Sequence, residues 1–79
     1  MNMDAFLERF LGQLEETDPA EVTPTTQFRN LAEWSSIAAI SIIAMVESEY
    51  GVKLKGDDIK RAQTVFDIYN IVIQKQQGT

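Results

Sequence analysis

Two adjacent serines are the residues of this 79-residue chain best placed to do chemistry. Ser35 and Ser36 stand directly before an apolar run, residues 37–46, which contains no charged residue. A serine at a helix start is a favoured N-cap, because its oxygen accepts an otherwise unpaired backbone N–H. The same place suits a phosphate ester, which the helix dipole and free N–H groups stabilise. One serine is therefore expected to cap the helix, and Ser36, one residue farther into it, is the better candidate for modification. On local grounds alone, a pair that only caps the helix is the simpler alternative.

The composition removes most other kinds of active site. The chain has no cysteine and no histidine. It therefore lacks the thiolates of a zinc site, the usual general base, and any Ser-His or Cys-His nucleophile pair. We expect neither catalysis nor a metal site. The neighbouring carboxylates Glu15 and Glu16 are predicted to be a solvated helix end, and Asp57 and Asp58 a helix start.

The charge balance limits the partners. The net charge is −5 and the pI is about 4.5, so nucleic acid would be repelled and a basic protein surface is the better partner. Residues 1–4 lack the basic segment and apolar core of a signal peptide. The apolar run has about half the length that spans a bilayer. We expect a cytoplasmic monomer with no membrane span.

Hydrophobic periodicity predicts one all-α domain over residues 1–79. Residues 4–15 carry an apolar stripe at i, i+3, i+4 and i+7, which is typical of an amphipathic helix. A long connection over residues 17–35 follows, and a loop of this length usually packs or functions. We expect Phe28 and Leu31 to hold it against the core.

The second half of the chain predicts three further helices. Gly51 is expected to close the first of them as a left-handed C-terminal cap. Thr64 and Asp67 match a capping box, which would open the last helix. Beyond that helix the chain is expected to fray. The predicted ranges are 36–49, 57–61 and 64–75.

The helix over residues 36–49 is apolar on two opposite faces, because about 100° separates successive side chains. The larger face is assigned to the core and contains Ala39, Ile42, Ile43, Val46 and Tyr50. The opposite face, which we expect to be exposed and to dock partners, contains Ile37, Ile40, Ser41 and Ala44. The alternative is a central helix covered on both sides, but so small a bundle has few helices to cover it, and an exposed apolar patch indicates a partner surface.

Two segments resemble the acyl carrier protein family. Residues 28–37 read F-R-N-L-A-E-W-S-S-I and residues 46–52 read V-E-S-E-Y-G-V. The family pattern is a Phe…Leu anchor, then Asp-Ser-Leu, then an apolar helix ending in Leu-Glu-Glu-Glu-Phe-Gly-Ile. Residues 57–59 and 64–67 are similar to its short third helix and the start of its fourth. The resemblance implies an acyl-carrier-protein-like four-helix bundle, with three main helices, one short helix and a long first loop.

The resemblance also implies a function. In that family a phosphopantetheinyl transferase moves 4′-phosphopantetheine from coenzyme A onto the motif serine, here Ser36. The thiol of this group then holds acyl or aminoacyl intermediates as thioesters. Acyl-transferring and acyl-modifying enzymes would dock on the face that contains Ile37, Ile40, Ser41 and Ala44. A chain without cysteine can do thiol chemistry only with such an added thiol.

Two departures from the pattern indicate a specialised carrier, in a fatty-acid, polyketide or related pathway. The motif aspartate is Ser35, which keeps the capping role and loses the charge. Positions 38, 41 and 44, where typical fatty-acid carriers place acids, are Ala, Ser and Ala, so docking would depend more on apolar contact. Two alternatives stay open: a carrier-like interaction module that is never modified, and an unrelated helical bundle that self-associates through this face.

Overall fold

The computed structural model describes residues 2–78, and within them it contains four helices and no strand. The helices are α1 (Met3–Leu11), α2 (Ser36–Tyr50), α3 (Gly56–Arg61) and α4 (Val65–Gln77). This confirms the predicted all-α fold with three main helices, one short helix and a long first connection. Thr79, where fraying was also expected, lies outside the described residues.

Helix α1 ends four residues before the predicted boundary. The chain turns at Gly12, where the N–H groups of Gln13 and Leu14 donate to the carbonyls of Phe10 and Leu11 at 3.1 and 3.0 Å. These bonds span three residues, so the last turn is tighter than an α-helix. Leu14 is still buried, which explains why the apolar stripe alone overestimated the length of the helix.

The core lies where α1, α2 and α4 meet the long connection. Phe28 is fully buried, and its ring lies 4.6 Å from that of Trp34, which in turn stacks on Phe10 at 6.3 Å. The predicted anchor at Phe28 is therefore confirmed, and Leu31 packs half-buried against the same core. The largest fully buried side chains are Phe6, Phe10, Phe28, Ile42, Val46, Val65, Ile68 and Val72.

Two short 3-10 turns, Pro19–Glu21 and Phe28–Asn30, order the connection between α1 and α2. Arg29 in the second turn donates to the carbonyls of Ile59 (2.9 Å) and Ala62, at the end of α3. The carbonyl of Ala62 lies beyond the last turn of α3, where carbonyls lack an intrahelical partner, while that of Ile59 also accepts the N–H of Ala62 at 3.2 Å. The turn that precedes the serine pair is thus attached to the end of α3.

Helix α4 begins as predicted. The hydroxyl of Thr64 accepts the N–H of Asp67 at 3.1 Å, and the carboxylate of Asp67 accepts the N–H groups of Thr64 and Gln63, each at 3.0 Å. These backbone hydrogen bonds hold the pKa of Asp67 below its ordinary value. The helix runs to Gln77, two residues past the predicted end, and the N–H of Gly78 closes it.

Asp58 lies in the first turn of α3, as the predicted helix start requires, but its carboxylate has a further role that the sequence did not predict. Its side chain is 3% exposed and accepts the N–H of Lys55 at 2.8 Å. It pairs with Arg61 at 2.6 Å and with Lys75 of α4 at 3.2 Å. Burial alone would raise the pKa of Asp58, but the bonds from Lys55, Arg61 and Lys75 outweigh it and lower the pKa. A carboxylate three residues after an N-cap is the sequence signal for this role.

Candidate functional site

The two serines have different surroundings. Ser35 is the N-cap of α2, and its Oγ accepts the backbone N–H of Ala38 at 3.2 Å. Ser36 is the first residue of the helix, is exposed, and its hydroxyl has no hydrogen-bond partner among residues 2–78. The capping role and the free hydroxyl are therefore separated as the sequence predicted, although attachment of a group at Ser36 stays a prediction.

The backbone beside Ser36 also offers hydrogen-bond donors. The N–H groups of Ser36 and Ile37 donate to no described residue, whereas those of Ala38 and Ala39 are bound by Ser35. Helix α2 has 15 residues, so its macrodipole is fully developed at this end. Free N–H groups at a long helix's N-terminus suit a phosphate group.

Glu33 fixes the approach to the serine pair, a role that the sequence analysis missed. Its carboxylate accepts the N–H groups of Glu15 (2.5 Å), Glu16 (3.0 Å) and Thr17 (2.8 Å), and the Thr17 hydroxyl at 2.6 Å. The Thr17 hydroxyl, followed by these backbone donors, lowers the pKa of Glu33. Glu15 and Glu16 thus lie beyond the helix, not at its end. No local pattern links residues 16 to 18 positions apart, so sequence periodicity gives no signal for this contact.

The outward face of α2 agrees with the sequence prediction. Ile37 is 76% exposed and Ile40 is 64% exposed, and Ala44 is exposed beside them, whereas Ser41 is half-buried. Single exposed apolar side chains are common on protein surfaces, whereas contiguous ones mark contact surfaces. The role of these four residues in partner docking stays a prediction.

The core face of α2 differs in part from the predicted set. Ile42 and Val46 are fully buried as expected, while Ala39, Ile43 and Tyr50 are half-buried. The buried set also contains Ala38 and Met45, which had not been assigned to the core. The buried face of α2 therefore contains Ala38, Ile42, Met45 and Val46, and is turned toward Ala38 and Met45 relative to the predicted one.

The far end of α2 is tied to α1 by charge. Arg9 pairs with Glu49 at 3.0 Å and donates to the hydroxyl of Tyr50 at 3.1 Å. Glu47 is exposed, and no ion pair involving it is formed by residues 2–78. Of the two acids near the end of the helix, Glu47 is therefore the one available to a basic partner. Gly51 ends α2 with φ 67°, the left-handed cap that was predicted and that glycine adopts without strain.

A metal centre and a membrane span are two further features that residues 2–78 could have offered. Over positions 2–78, no three His, Cys, Asp or Glu side chains are grouped so as to hold a metal ion. None of the helices described here has the length and apolar character needed to cross a membrane.

Comparison with known proteins identifies the class. The family model for the phosphopantetheine attachment site matches residues 4–72. The chain is 30% identical over 64 residues to the meromycolate extension acyl carrier protein of Mycolicibacterium aurum, covering 81% of this chain and 66% of that protein. It is 33% identical over 60 residues to the acyl carrier protein of Myxococcus xanthus, covering 73% of this chain and 76% of that protein. The chain therefore spans just under two-thirds of the length of the meromycolate relative. No solved structure matches at a comparable level.

The chain belongs to the phosphopantetheine attachment site family. The resemblance to acyl carrier proteins is confirmed by these relatives. The cofactor of this family is 4′-phosphopantetheine, covalently attached, and its members are carriers and not catalysts. The free hydroxyl and free N–H groups at the start of α2 fit such a phosphate ester, since both kinds of group that it needs are present at Ser36.

Proposed function

We propose that this protein holds acyl or aminoacyl groups as thioesters on a 4′-phosphopantetheine arm attached to Ser36. It delivers them to partner enzymes of a specialised fatty-acid, polyketide or related pathway. The observation that carries the proposal is the division between the two serines. Ser35 is occupied as the cap of α2, and Ser36 keeps an exposed hydroxyl beside unpaired N–H groups.

The partners in this proposal are a phosphopantetheinyl transferase and the acyl-transferring or acyl-modifying enzymes that follow it. They meet the outward face of α2, where Ile37 and Ile40 lie one and four residues from Ser36. Exposed isoleucines at that distance give an apolar contact directly beside the attachment point. The chain is proposed to act in the cytoplasm as a monomer, as a single domain, and without catalytic activity of its own.

A thiol titration tests the proposal. The chain has no cysteine, so any thiol found on it after removal of free coenzyme A belongs to the attached arm. Incubation with coenzyme A and a broad-specificity transferase is expected to give one thiol per chain. Absence of a thiol after incubation with several such transferases would contradict the proposal.

A second candidate function is an interaction module that carries no arm. The uncharged Ser35, where the family has an acid, and the exposure of Ile37 and Ile40 favour it. It predicts a partner that binds the unmodified chain and still binds after Ser36→Ala. Loss of binding in that variant would exclude this candidate and leave the carrier function.

A further inference from the structure

The positive charges of this acidic chain lie close together. Five of its seven Lys and Arg residues fall between positions 53 and 75, whereas only three of its twelve acids do, namely Asp57, Asp58 and Asp67. They follow the C-terminal end of α2, which is about 21 Å from Ser36 along the helix axis. The cluster consists of Lys53, Lys55, Lys60, Arg61 and Lys75, which line three adjoining depressions.

The largest depression is a groove of about 1000 Å³ beside the segment that joins α2 to α3. Tyr50 and Val52 line it together with Lys53, Lys55 and Lys75. Lys75 is partly neutralised by Asp58 at 3.2 Å. The ammonium groups of Lys53 and Lys55 form no ion pair with any residue between 2 and 78, so their charge is available to a ligand.

The joining segment alternates exposed and buried side chains. Lys53 and Lys55 are exposed. Val52, which precedes Lys53, is 6% exposed, and Leu54, which separates the two lysines, is 4% exposed. This alternation is the period-two pattern of an extended chain. The N–H and C=O of Lys53 make no hydrogen bond within the described part of the chain. The unpaired N–H and C=O of Lys53 are therefore the backbone groups with which an added strand could pair.

We propose that this groove binds an extended acidic segment of a partner protein. The segment would pair with the backbone at Lys53, and its alternate carboxylates would meet Lys53 and Lys55. Charge favours a short acidic peptide over nucleic acid or an anionic membrane. Ten of the twelve acids of the chain lie outside residues 53–61, and they would repel a long polyanion or a charged bilayer. The proposal does not depend on modification of Ser36.

Fluorescence anisotropy with a defined probe tests it. The probe is a fluorescein-labelled peptide, Gly-Glu-Val-Glu-Val-Glu-Val-Glu-Gly, and its counterpart has Lys in place of each Glu. The full chain is compared with the double variant Lys53→Gln/Lys55→Gln. The matched control is Ala20→Glu/Ala32→Glu, which makes the same change in net charge at two exposed residues away from the groove. Anionic phosphatidylglycerol vesicles and a single-stranded oligonucleotide are measured in parallel.

The acidic peptide is expected to bind the unaltered chain more weakly as salt rises. The lysine variant should bind about fivefold to tenfold more weakly, as the loss of two rim charges predicts, and the control within about twofold of the original. Bound peptide should also slow hydrogen exchange at the N–H of Lys53. Equal weakening in the control, binding of the lysine peptide, no binding of the acidic peptide, or equal binding of vesicles or oligonucleotide would each overturn the proposal.

Discussion

The hydroxyl oxygen of Ser35 accepts the backbone N–H of Ala38 at 3.2 Å, across the first turn of α2. Acyl carrier proteins place an aspartate where this chain has Ser35, so the chain keeps the cap while it loses a negative charge. Such a charge contributes about 0.3–1 kcal/mol at a helix N-terminus. The Ser35 cap therefore fixes the start of the helix and leaves the Ser36 hydroxyl without a hydrogen bond among the described residues.

The first prediction concerns this cap. Ser35→Ala removes the acceptor for the N–H of Ala38 and is expected to lower the free energy of unfolding by about 1 kcal/mol. The matched control is Ser36→Ala, which removes a hydroxyl without a described partner and should change stability by less than about 0.5 kcal/mol. Urea unfolding followed by circular dichroism measures both. Equal losses would mean that the two serines share the cap.

Glu33 gives a second prediction. In the unaltered chain both carboxylate oxygens of Glu33 accept N–H groups of the segment after α1. Glu33→Gln replaces one of these oxygens by an NH2 group, which cannot accept a hydrogen bond. The midpoint of urea unfolding should fall, and hydrogen exchange at Glu15 and Glu16 should speed up. Glu8→Gln is the control, because Glu8 is exposed on α1 and forms no ion pair among residues 2–78. An equal fall in the unfolding midpoint of Glu8→Gln would show that the hydrogen bonds of Glu33 are not the cause.

The sequence predicted those features of the fold that arise from local patterns. The capping box of Thr64 and Asp67, the left-handed cap at Gly51 and the cap at Ser35 each depend on residues within four positions of one another. The exposure of Ile37 and Ile40 followed from helical periodicity in a bundle too small to cover both faces.

The features that were missed depend on tertiary contacts. Glu33 binds backbone groups 16 to 18 residues away, and Asp58 is enclosed by Lys75 from a different helix. The end of α1 was placed too late because Leu14 stays buried after the helix has ended. Periodicity describes one segment at a time, so it gives no information about which distant group a side chain contacts or where a buried residue leaves the helix.

The third prediction is a dependence of stability on pH. The pKa of Asp58 lies below its ordinary value of 3.8 and that of Glu33 below 4.5. The unfolded chain therefore binds more protons in acid than the folded chain does. Their contribution to stability is complete above these ordinary values and is lost as pH falls through the lower folded values. Thermal unfolding measured from pH 7 to pH 3 should show a flat region and then a decline.

Asp58→Asn identifies the group responsible for part of that decline. The variant should be less stable at pH 7, because Lys75 and Arg61 lose a buried partner, and its stability should fall less steeply in acid. Asp57→Asn is the control, since Asp57 is exposed and pairs with no described residue. A decline of unchanged steepness in Asp58→Asn would show that Asp58 is not the titrating group.

The outward face of α2 gives the fourth prediction. Ile40→Asp places a charge in the exposed apolar patch and should leave the free energy of unfolding within about 0.5 kcal/mol, because the side chain is 64% exposed. The kcat/KM of the transferase for this chain should fall about tenfold or more, the effect of losing a central apolar contact. The control is Ala20→Asp, because Ala20 is exposed and lies outside α2. Unchanged kcat/KM in Ile40→Asp would mean that docking occurs elsewhere.

The central claim is that Ser36 carries the arm while Ser35 caps the helix. Intact-mass spectrometry tests it most directly, after incubation with coenzyme A and a broad-specificity transferase. The unaltered chain and Ser35→Ala are each expected to gain the mass of one phosphopantetheine, and Ser36→Ala none. A gain in Ser36→Ala, or a gain that only Ser35→Ala abolishes, would contradict the assignment of the two serines.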